Sequence, residues 1–456
     1  MHYYLAVDIG ASSGRHILGS IENDILKLEE IYRFENNLTN DNGTLTWDIK
    51  HLTNEVINGI KQCKQINKIP VSVSIDTWGV DYVLIDKSGN EILPAYCYRD
   101  LRTEKSAKEV TNLIPFDSLY SKTGIQMQNF NTIFQLFDDK QKGRLENAEH
   151  FLMIPEYLSF KLTGKIKKEY TNASTTGLLD ANKFDWDFEI IEKLGLKKEL
   201  FKELFMPSTP VDEFSKEIQN KVGFNSTVIL CPSHDTASAV AACPLSDDEL
   251  FISSGTWSLI GCENEKAILN KAAMKANFTN EGGINKRFRF LKNIMGMWLL
   301  QNIRRNLNKK YTYDEMMKMA INSTFYETVD VNSPEFVAPE SMIEAVKEKL
   351  QKPDIEIGDL INCVYHSLAK YYAKSVDELE KITGKTFSGI RIVGGGSKDE
   401  YLNYLTAKYT KKDVYAGPVE ATATGNIISQ IIYDNKDFDL KTARELIKTT
   451  FNIRKV

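Results

Sequence analysis

Near the start of the 456-residue chain, Asp8-Ile9-Gly10-Ala11-Ser12-Ser13-Gly14-Arg15 puts a carboxylate at the end of an apolar run and follows it with a Gly/Ser-rich turn. Backbone N–H groups and hydroxyls in such a turn can converge on phosphate oxygens without obstruction from Cβ atoms. Asp8 is placed to hold Mg²⁺ through water, the usual habit of that ion with nucleotides. An ordinary hairpin has the same composition. A second copy occurs, however, at Ser253-Ser254-Gly255-Thr256, and two such turns can grip one phosphate chain from both sides. Gly394-Gly395-Gly396-Ser397 follows a strand-like run, where successive glycines let the backbone approach a flat ligand such as the adenine–ribose part of a nucleotide.

Asp235, in Ser233-His234-Asp235-Thr236, can accept a proton from a substrate hydroxyl. Asp also fills helix N-caps well, and the residue alone leaves both readings open. His234 reads as a packing or supporting residue, because phosphoryl transfer does not require it. Asp76-Thr77-Trp78-Gly79-Val80-Asp81 reads either as core around Trp78 or as a sugar-stacking face beside two carboxylates, and it is kept as a substrate candidate. Gly384-Lys385-Thr386 resembles the tail of a P-loop, but Leu379 stands where that motif needs Gly, and a strand follows it. It reads as a helix C-cap.

These groups need elements to position them. Residues 4–9 and 15–21 read as a strand, turn and strand, and residues 249–261 repeat the pattern, which points to duplicated α/β domains. Leu52, Val56, Ile57 and Ile60 have helical spacing, and residues 71–75, 81–86 and 226–231 read as strands. Residues 233–241 are small and helix-compatible. Ile361, Val364, Leu368, Tyr371, Tyr372 and Leu379 predict a long amphipathic helix. After it come a strand at 389–393, a helix around 401–409, a strand at 413–416 and a helix over 421–432. The pattern weakens between about 262 and 350, which reads as helical insertion and connecting loop.

Composition bounds the class. With 42% hydrophobic and 26% charged residues the chain can fold around substantial cores, and its length argues for at least two domains. A net charge of −5 argues against a large nucleic-acid-binding face. No apolar run approaches a membrane span, and the N-terminus lacks a secretory pattern. The six cysteines show no CxxC pairs and read as reduced, so the expected location is cytoplasmic. Monomer and small homo-oligomer both stay open.

Taken together, Asp8–Arg15, Ser74–Asp81, Tyr98-Arg99-Asp100, Ser233–Val240, Ser253–Gly261, Leu291–Trp298, Val393–Gly396 and Gly417–Ala421 resemble the FGGY carbohydrate kinases, within the actin/Hsp70/sugar-kinase fold. The likeness runs in order from residue 4 to about 430. Thr-Trp-Gly-Val-Asp together with Ser-His-Asp-Thr-Ala-Ser-Ala-Val is similar to the branch that acts on L-rhamnulose. The letters Phe-Gly-Gly-Tyr that name the family are absent.

The resemblance implies an α/β protein of two duplicated actin/RNase H-like domains, each with a central mixed sheet, around a catalytic cleft. Residues 1–240 would bind sugar and phosphate, and residues 241–456 would bind ATP. It implies ATP- and Mg²⁺-dependent phosphorylation of L-rhamnulose on its 1-hydroxyl, with Asp235 as base. Ala11, Ser12, Ser13, Gly14, Arg15, Thr256, Gln301 and Gly395 fall where the family binds ATP. Gly79, His234, Asp235, Thr236 and Asn293 fall where it contacts sugar. Asn293 and Gln301 rest on the resemblance alone. Competing expectations are a neighbouring ketose kinase acting on L-fuculose or D-xylulose, and a non-catalytic sugar- or ATP-binding regulator of the same fold.

Overall fold

The computed structural model describes residues 1–456. In chain order, the elements that position the site begin with β1 (Tyr4–Ile9), β2 (Ser13–Glu22), β3 (Ile25–Glu35), α1 (Ile49–Gln65), β4 (Ser72–Thr77), β5 (Thr209–Glu213), β6 (Thr227–Leu230) and α2 (Asp235–Ala241). Then come β7 (Glu249–Ser254), β8 (Trp257–Asn264), β9 (Thr279–Gly282), β10 (Phe288–Met295), α3 (Trp298–Asn306), α4 (Ile357–Thr383), β11 (Gly389–Val393), α5 (Glu400–Thr410), β12 (Asp413–Ala416) and α6 (Ala421–Asp434). Contacts group the chain into two units. The first takes Met1–Ala242, Glu263–Phe290 and Ala421–Thr450, and the second takes Cys243–Cys262, Leu291–Glu420 and Phe451–Val456.

Both faces of β1 and β4 are covered, and all twelve of their residues are buried; β1 reads as a nearly continuous apolar run, and the polar alternates of β4, Ser72, Ser74 and Asp76, lie inside as well. They pair in parallel at the centre of a six-stranded sheet ordered β5-β6-β4-β1-β2-β3. The tight turn after β1 makes β2 antiparallel to it, whereas β4 returns only after α1 has crossed over. Leu52, Val56, Ile60 and Cys63 are the apolar face of α1 and join Leu5, Val7, Val73 and Ile75 in one core. Burying each such Leu or Ile contributes roughly 1.5–3 kcal/mol.

Helix α6 lies against β1 and β4 with two polar anchors. Gln430 Nε2 donates to the Leu5 carbonyl at 3.0 Å, and Ser72 Oγ donates to Gln430 Oε1 at 2.6 Å. Where α6 meets α2, a Cβ on Gly425 would stand 1.8 Å from the Ser238 carbonyl oxygen, so only glycine permits this approach.

In the second unit, β7 pairs antiparallel with β8 and parallel with β11, which pairs parallel with β12. The order β8-β7-β11-β12 has the same strand directions as β2-β1-β4-β6 in the first unit. The duplication expected from two similar hairpins therefore extends through four strands of each sheet. Gly384, at φ 69°, is the left-handed C-cap of α4, as its composition predicted.

One expectation needs correcting. Residues 262–350 hold helices at Tyr313–Ile321 and Met342–Leu350, but they also hold the strands β9 and β10. β10, Phe-Arg-Phe-Leu-Lys-Asn-Ile-Met, is buried along nearly its whole length. Its inward polar residues are neutralised by ion pairs, Arg289 with Glu281 and Lys292 with Glu378. Charged residues on covered faces erase the alternation by which a strand is recognised. All six cysteines are unpaired and buried, and no helix is long and apolar enough to cross a membrane.

Candidate active site

The carboxyl ends of adjacent parallel strands are where open α/β sheets bind ligands. In the first unit these ends carry Asp8 on β1 and Asp76 on β4, which are register partners. The segment after β6 continues alongside, with Thr77 N donating to the Ser233 carbonyl at 2.9 Å. Asp8 Oδ2 accepts from Arg15 Nη2 at 2.7 Å, and its side chain is 10% exposed. Asp76 is fully buried; its Oδ2 accepts from Asn426 Nδ2 at 2.6 Å, and its Oδ1 has no partner. Burial first, and then the carboxylate of Asp8, push the Asp76 carboxyl well above its ordinary range; Asn426 opposes this, and Asp235 adds to it.

The loop that presents Asp235 is anchored by Glu169. Its carboxylate caps the short helix Tyr170–Ala173 through Thr171 N (2.7 Å) and Asn172 N (3.0 Å), accepts from Thr171 Oγ1 (2.7 Å), and reaches Ser233 N (3.2 Å) and Ser233 Oγ (2.6 Å). Burial pushes this carboxyl up, and its donors, led by Ser233, pull it back. His234 then takes the N-cap position of α2, so Asp235 is the first helical residue and not the cap. Asp235 Oδ1 accepts from Thr236 N at 2.5 Å and Thr236 Oγ1 at 3.0 Å, leaving the side chain 34% exposed. A partly exposed carboxylate held from behind is a suitable proton acceptor for an alcohol.

His234 stands between Asp235 and a buried pair: its Nε2 is 3.5 Å from Asp235 Oδ1, and its Nδ1 is 3.2 Å from Arg289 Nη2 and 3.3 Å from Glu281 Oε2. Gly79 leaves room beside the ring. A Cβ there would lie 3.1 Å from Thr175 Oγ1 and 3.5 Å from His234 Cδ2. The sugar-stacking reading of Trp78 is overturned. Trp78 is only 6% exposed, its ring packs 4.1 Å from that of Trp47, and both indole N–H groups donate to Asp81. Asp81 also accepts from Tyr98 N and Gln135 Nε2, so this carboxylate serves the core.

In the first hairpin Gly10 N donates to the Ser13 carbonyl, while Asn36 closes the turn from outside through the Ser12 and Gly10 carbonyls. Ala11 and Ser12 form its tip. Gly14 sits under Phe34, whose ring a Cβ would meet at 2.1 Å.

The second unit has its own counterpart. Gly255 N donates to the Trp257 carbonyl, and the Thr256 carbonyl accepts from Trp298 N at 3.1 Å, which ties the turn to the start of α3 and thus to Gln301. Gly394, at φ 85°, and Gly396 bring the loop after β11 against Ser254; a Cβ on Gly396 would stand 2.0 Å from Ser254 Oγ. Gly395 has no atom within 4 Å of where its Cβ would be, so its side stays open to a ligand. Asn293, on β10, keeps a buried Oδ1 without a partner.

Asp8, Ala11–Arg15, Gly79 and His234–Thr236 fall in the first unit, and Thr256, Asn293, Gln301 and Gly395 in the second. Sequence reasoning missed Asn36, Glu169, Thr175, Glu281, Arg289 and Asn426. Only Arg289 carried a usable signal, a charge isolated between two phenylalanines.

The repeated sheet and paired hairpins define a two-domain sugar kinase fold. Solved structures share it along the chain: a xylulose kinase from Lactobacillus acidophilus has a TM-score of 0.83 at 16% identity, covering 100% of this chain and 93% of that one. Plasmodium falciparum glycerol kinase with ADP has a TM-score of 0.77 at 15% identity, covering 99% and 94%. Residues 3–242 match the N-terminal domain and residues 250–432 the C-terminal domain of the FGGY family of carbohydrate kinases, and the chain belongs to that family. Among its relatives, the rhamnulokinase of Halalkalibacterium halodurans is 44% identical over 100% of this chain and 98% of its own length. That of Bacillus subtilis is 39% identical over 99% and 94%.

Proposed function

We propose that this carbohydrate kinase transfers the γ-phosphoryl group of ATP to the 1-hydroxyl of L-rhamnulose, giving L-rhamnulose 1-phosphate and ADP. The observation that carries the reading is full-length similarity, at 36–44% identity, to proteins named rhamnulokinase. Asp235 takes the proton of the 1-hydroxyl as that oxygen bonds to the γ-phosphorus. The bond from the γ-phosphorus to the bridging oxygen breaks, and its electron pair leaves with ADP. Such a transfer depends on positioning and charge stabilisation more than on covalent chemistry.

Residues 1–240 carry most of the sugar and phosphate side and residues 241–456 most of the ATP side, while residues 263–290 and 421–450 belong to the first unit. Ala11–Arg15, Thr256, Gln301 and Gly395 hold ATP; Gly79, His234, Thr236 and Asn293 contact the sugar. The open side of Gly395 and the unpartnered Oδ1 of Asn293 support these assignments. The Asp8 carboxylate at the end of β1, beside the buried Asp76, is a donor set that suits an ion that keeps its waters and binds phosphates. Asp8, a hard oxygen donor, would hold Mg²⁺ through water. Bound with ATP, the ion would neutralise phosphate charge. The reaction belongs in the cytoplasm, and six unpaired cysteines fit a reducing compartment.

The test is coupled ADP release over a panel of ketoses and aldoses, with and without Mg²⁺. L-Rhamnulose should give the highest kcat/KM; preference for an aldose, or no sugar-dependent turnover, would sink the reading. Asp235→Asn should keep the fold and ATP binding while kcat falls by roughly 10²–10⁴. Near-normal turnover would remove Asp235 as base.

A further inference from the structure

Arg289 is a fully buried arginine, held by its Nε donating to the Gly282 carbonyl at 3.0 Å and by Nη2 at 3.1 Å from Glu281 Oε2. The same Nη2 lies 3.2 Å from His234 Nδ1 in hydrogen-bond geometry. A guanidinium has donors and no acceptor, so in this contact Nδ1 must be the acceptor. The ring proton of a neutral imidazole then sits on Nε2, because the bond made by one nitrogen decides the state of the other. Nε2 faces Asp235 Oδ1 at 3.5 Å, too long for a strong hydrogen bond.

We propose that Arg289 is a positioning residue that fixes His234 as an Nε2–H donor beside Asp235, so that the site offers an acceptor and a donor side by side. Resting on the kinase reading above, Asp235 takes the proton of the attacking hydroxyl while Nε2–H donates to the oxygen on the neighbouring substrate carbon. That pairing selects a sugar with oxygens on both carbons and orients the first toward phosphorus. Glu281 has a separate part. It balances the Arg289 charge, and against burial the guanidinium holds the Glu281 carboxyl below its ordinary range. Without the guanidinium, Glu281 Oε2, 3.3 Å from Nδ1, would accept a proton-bearing Nδ1 and reverse the tautomer.

The experiment reads the tautomer directly, in the full-length protein without any substrate, by long-range ¹H–¹⁵N correlation of ¹⁵N-histidine-labelled protein. The chain has six histidines, and His234→Asn assigns the relevant signals by their loss. Nδ1 of His234 should show the unprotonated shift and Nε2 the protonated one. Arg289→Met should exchange the two and lower kcat by roughly 10- to 100-fold, while KM for ATP stays within about twofold.

Because that variant leaves Glu281 unpaired and could lose stability, the double variant Arg289→Met/Glu281→Gln supplies the control. Its neutral amide can again donate to Nδ1, so the Nε2–H tautomer and at least about half of the lost kcat, on a logarithmic scale, should return. A proton on Nδ1 in the unaltered protein would overturn the proposal. So would a folded Arg289→Met variant with unchanged tautomer and kcat, or a double variant that regains the tautomer without activity. Failure of the kinase reading would instead appear as absent ketose turnover in the unaltered protein, with the tautomer assignment intact.

Discussion

Replacing Glu169 by Gln changes one atom type at the most heavily used acceptor near Asp235. Four donors meet Oε2: Thr171 Oγ1, Asn172 N, Ser233 N and Ser233 Oγ; Thr171 N meets Oε1. The amide must therefore turn its oxygen toward the four and its NH₂ toward Thr171 N, donor against donor. A buried N–H left without an acceptor costs about 1–3 kcal/mol, and each remaining bond falls from charge-assisted strength, about 1.5–3 kcal/mol, toward about 1. Burying a neutral group in place of an ion offsets part of this. The net expectation is a loss of about 2–4 kcal/mol, read as a lower urea midpoint with unchanged slope. Two of the five bonds hold Ser233, so His234 and Asp235 should move as well. We expect kcat to fall by roughly 10²-fold under conditions where the variant is still folded, with KM for ATP within about twofold. Glu169→Asp, which keeps the charge but not the reach, should fall between. Stability within about 0.5 kcal/mol of the parent and kcat within twofold would refute the reasoning.

Three further outcomes follow from other parts of the molecule. In Gly396→Ala the new Cβ meets Ser254 Oγ at 2.0 Å, so the second hairpin must shift; stability should drop by about 1–3 kcal/mol and KM for ATP should rise, both checked by denaturation and steady-state kinetics. Trp78→Phe removes an indole N–H donated to Asp81 at 3.0 Å and should destabilise by about 1–3 kcal/mol with KM for the ketose unchanged; a large KM rise without lost stability would restore Trp78 as a sugar platform. His16 is wholly buried, and burial pushes its imidazole down to about 4 from 6.5. A depressed folded value means full stability above pH 6.5 and progressive loss as pH falls toward 4, about 3 kcal/mol in all. His16→Gln should flatten that part of the stability–pH curve, and an unchanged curve would count against the assignment.

What could be read in advance depended on how local its cause was. The hairpins after β1 and β7 were legible because glycine and serine at a strand end are a short-range signal. β10 was not, because Arg289 and Lys292 point into covered space and meet carboxylates supplied by β9 and α4. Trp78 misled for the opposite reason. Its neighbours Asp76 and Asp81 resemble a sugar-binding pair in sequence, yet Asp81 spends its acceptors on Trp47, Trp78, Tyr98 and Gln135. Asp235 stood out in the sequence as a candidate base, but what surrounds it did not. Glu169, Glu281 and Asn426 are ordinary residues until the fold carries them to the strand ends.

That dependence says something about how the site is built. Buried charges weaken a fold unless each finds partners, and hydrophobic residues of similar size are often more stable in their place. The first unit nonetheless keeps Asp76, Glu169, Glu281 and Arg289 inside, all within reach of Asp8 or of the Ser233–Asp235 loop. Each is met by a different stretch of chain: Asn426 meets Asp76, Ser233 meets Glu169, and Arg289 bridges Glu281 to His234. Shifting Asp235 alone would therefore strand at least one buried donor or acceptor from a segment far away in sequence. The Asp235 carboxylate is held in place by the penalty for breaking these contacts, which is why a seven-residue helix suffices to carry it.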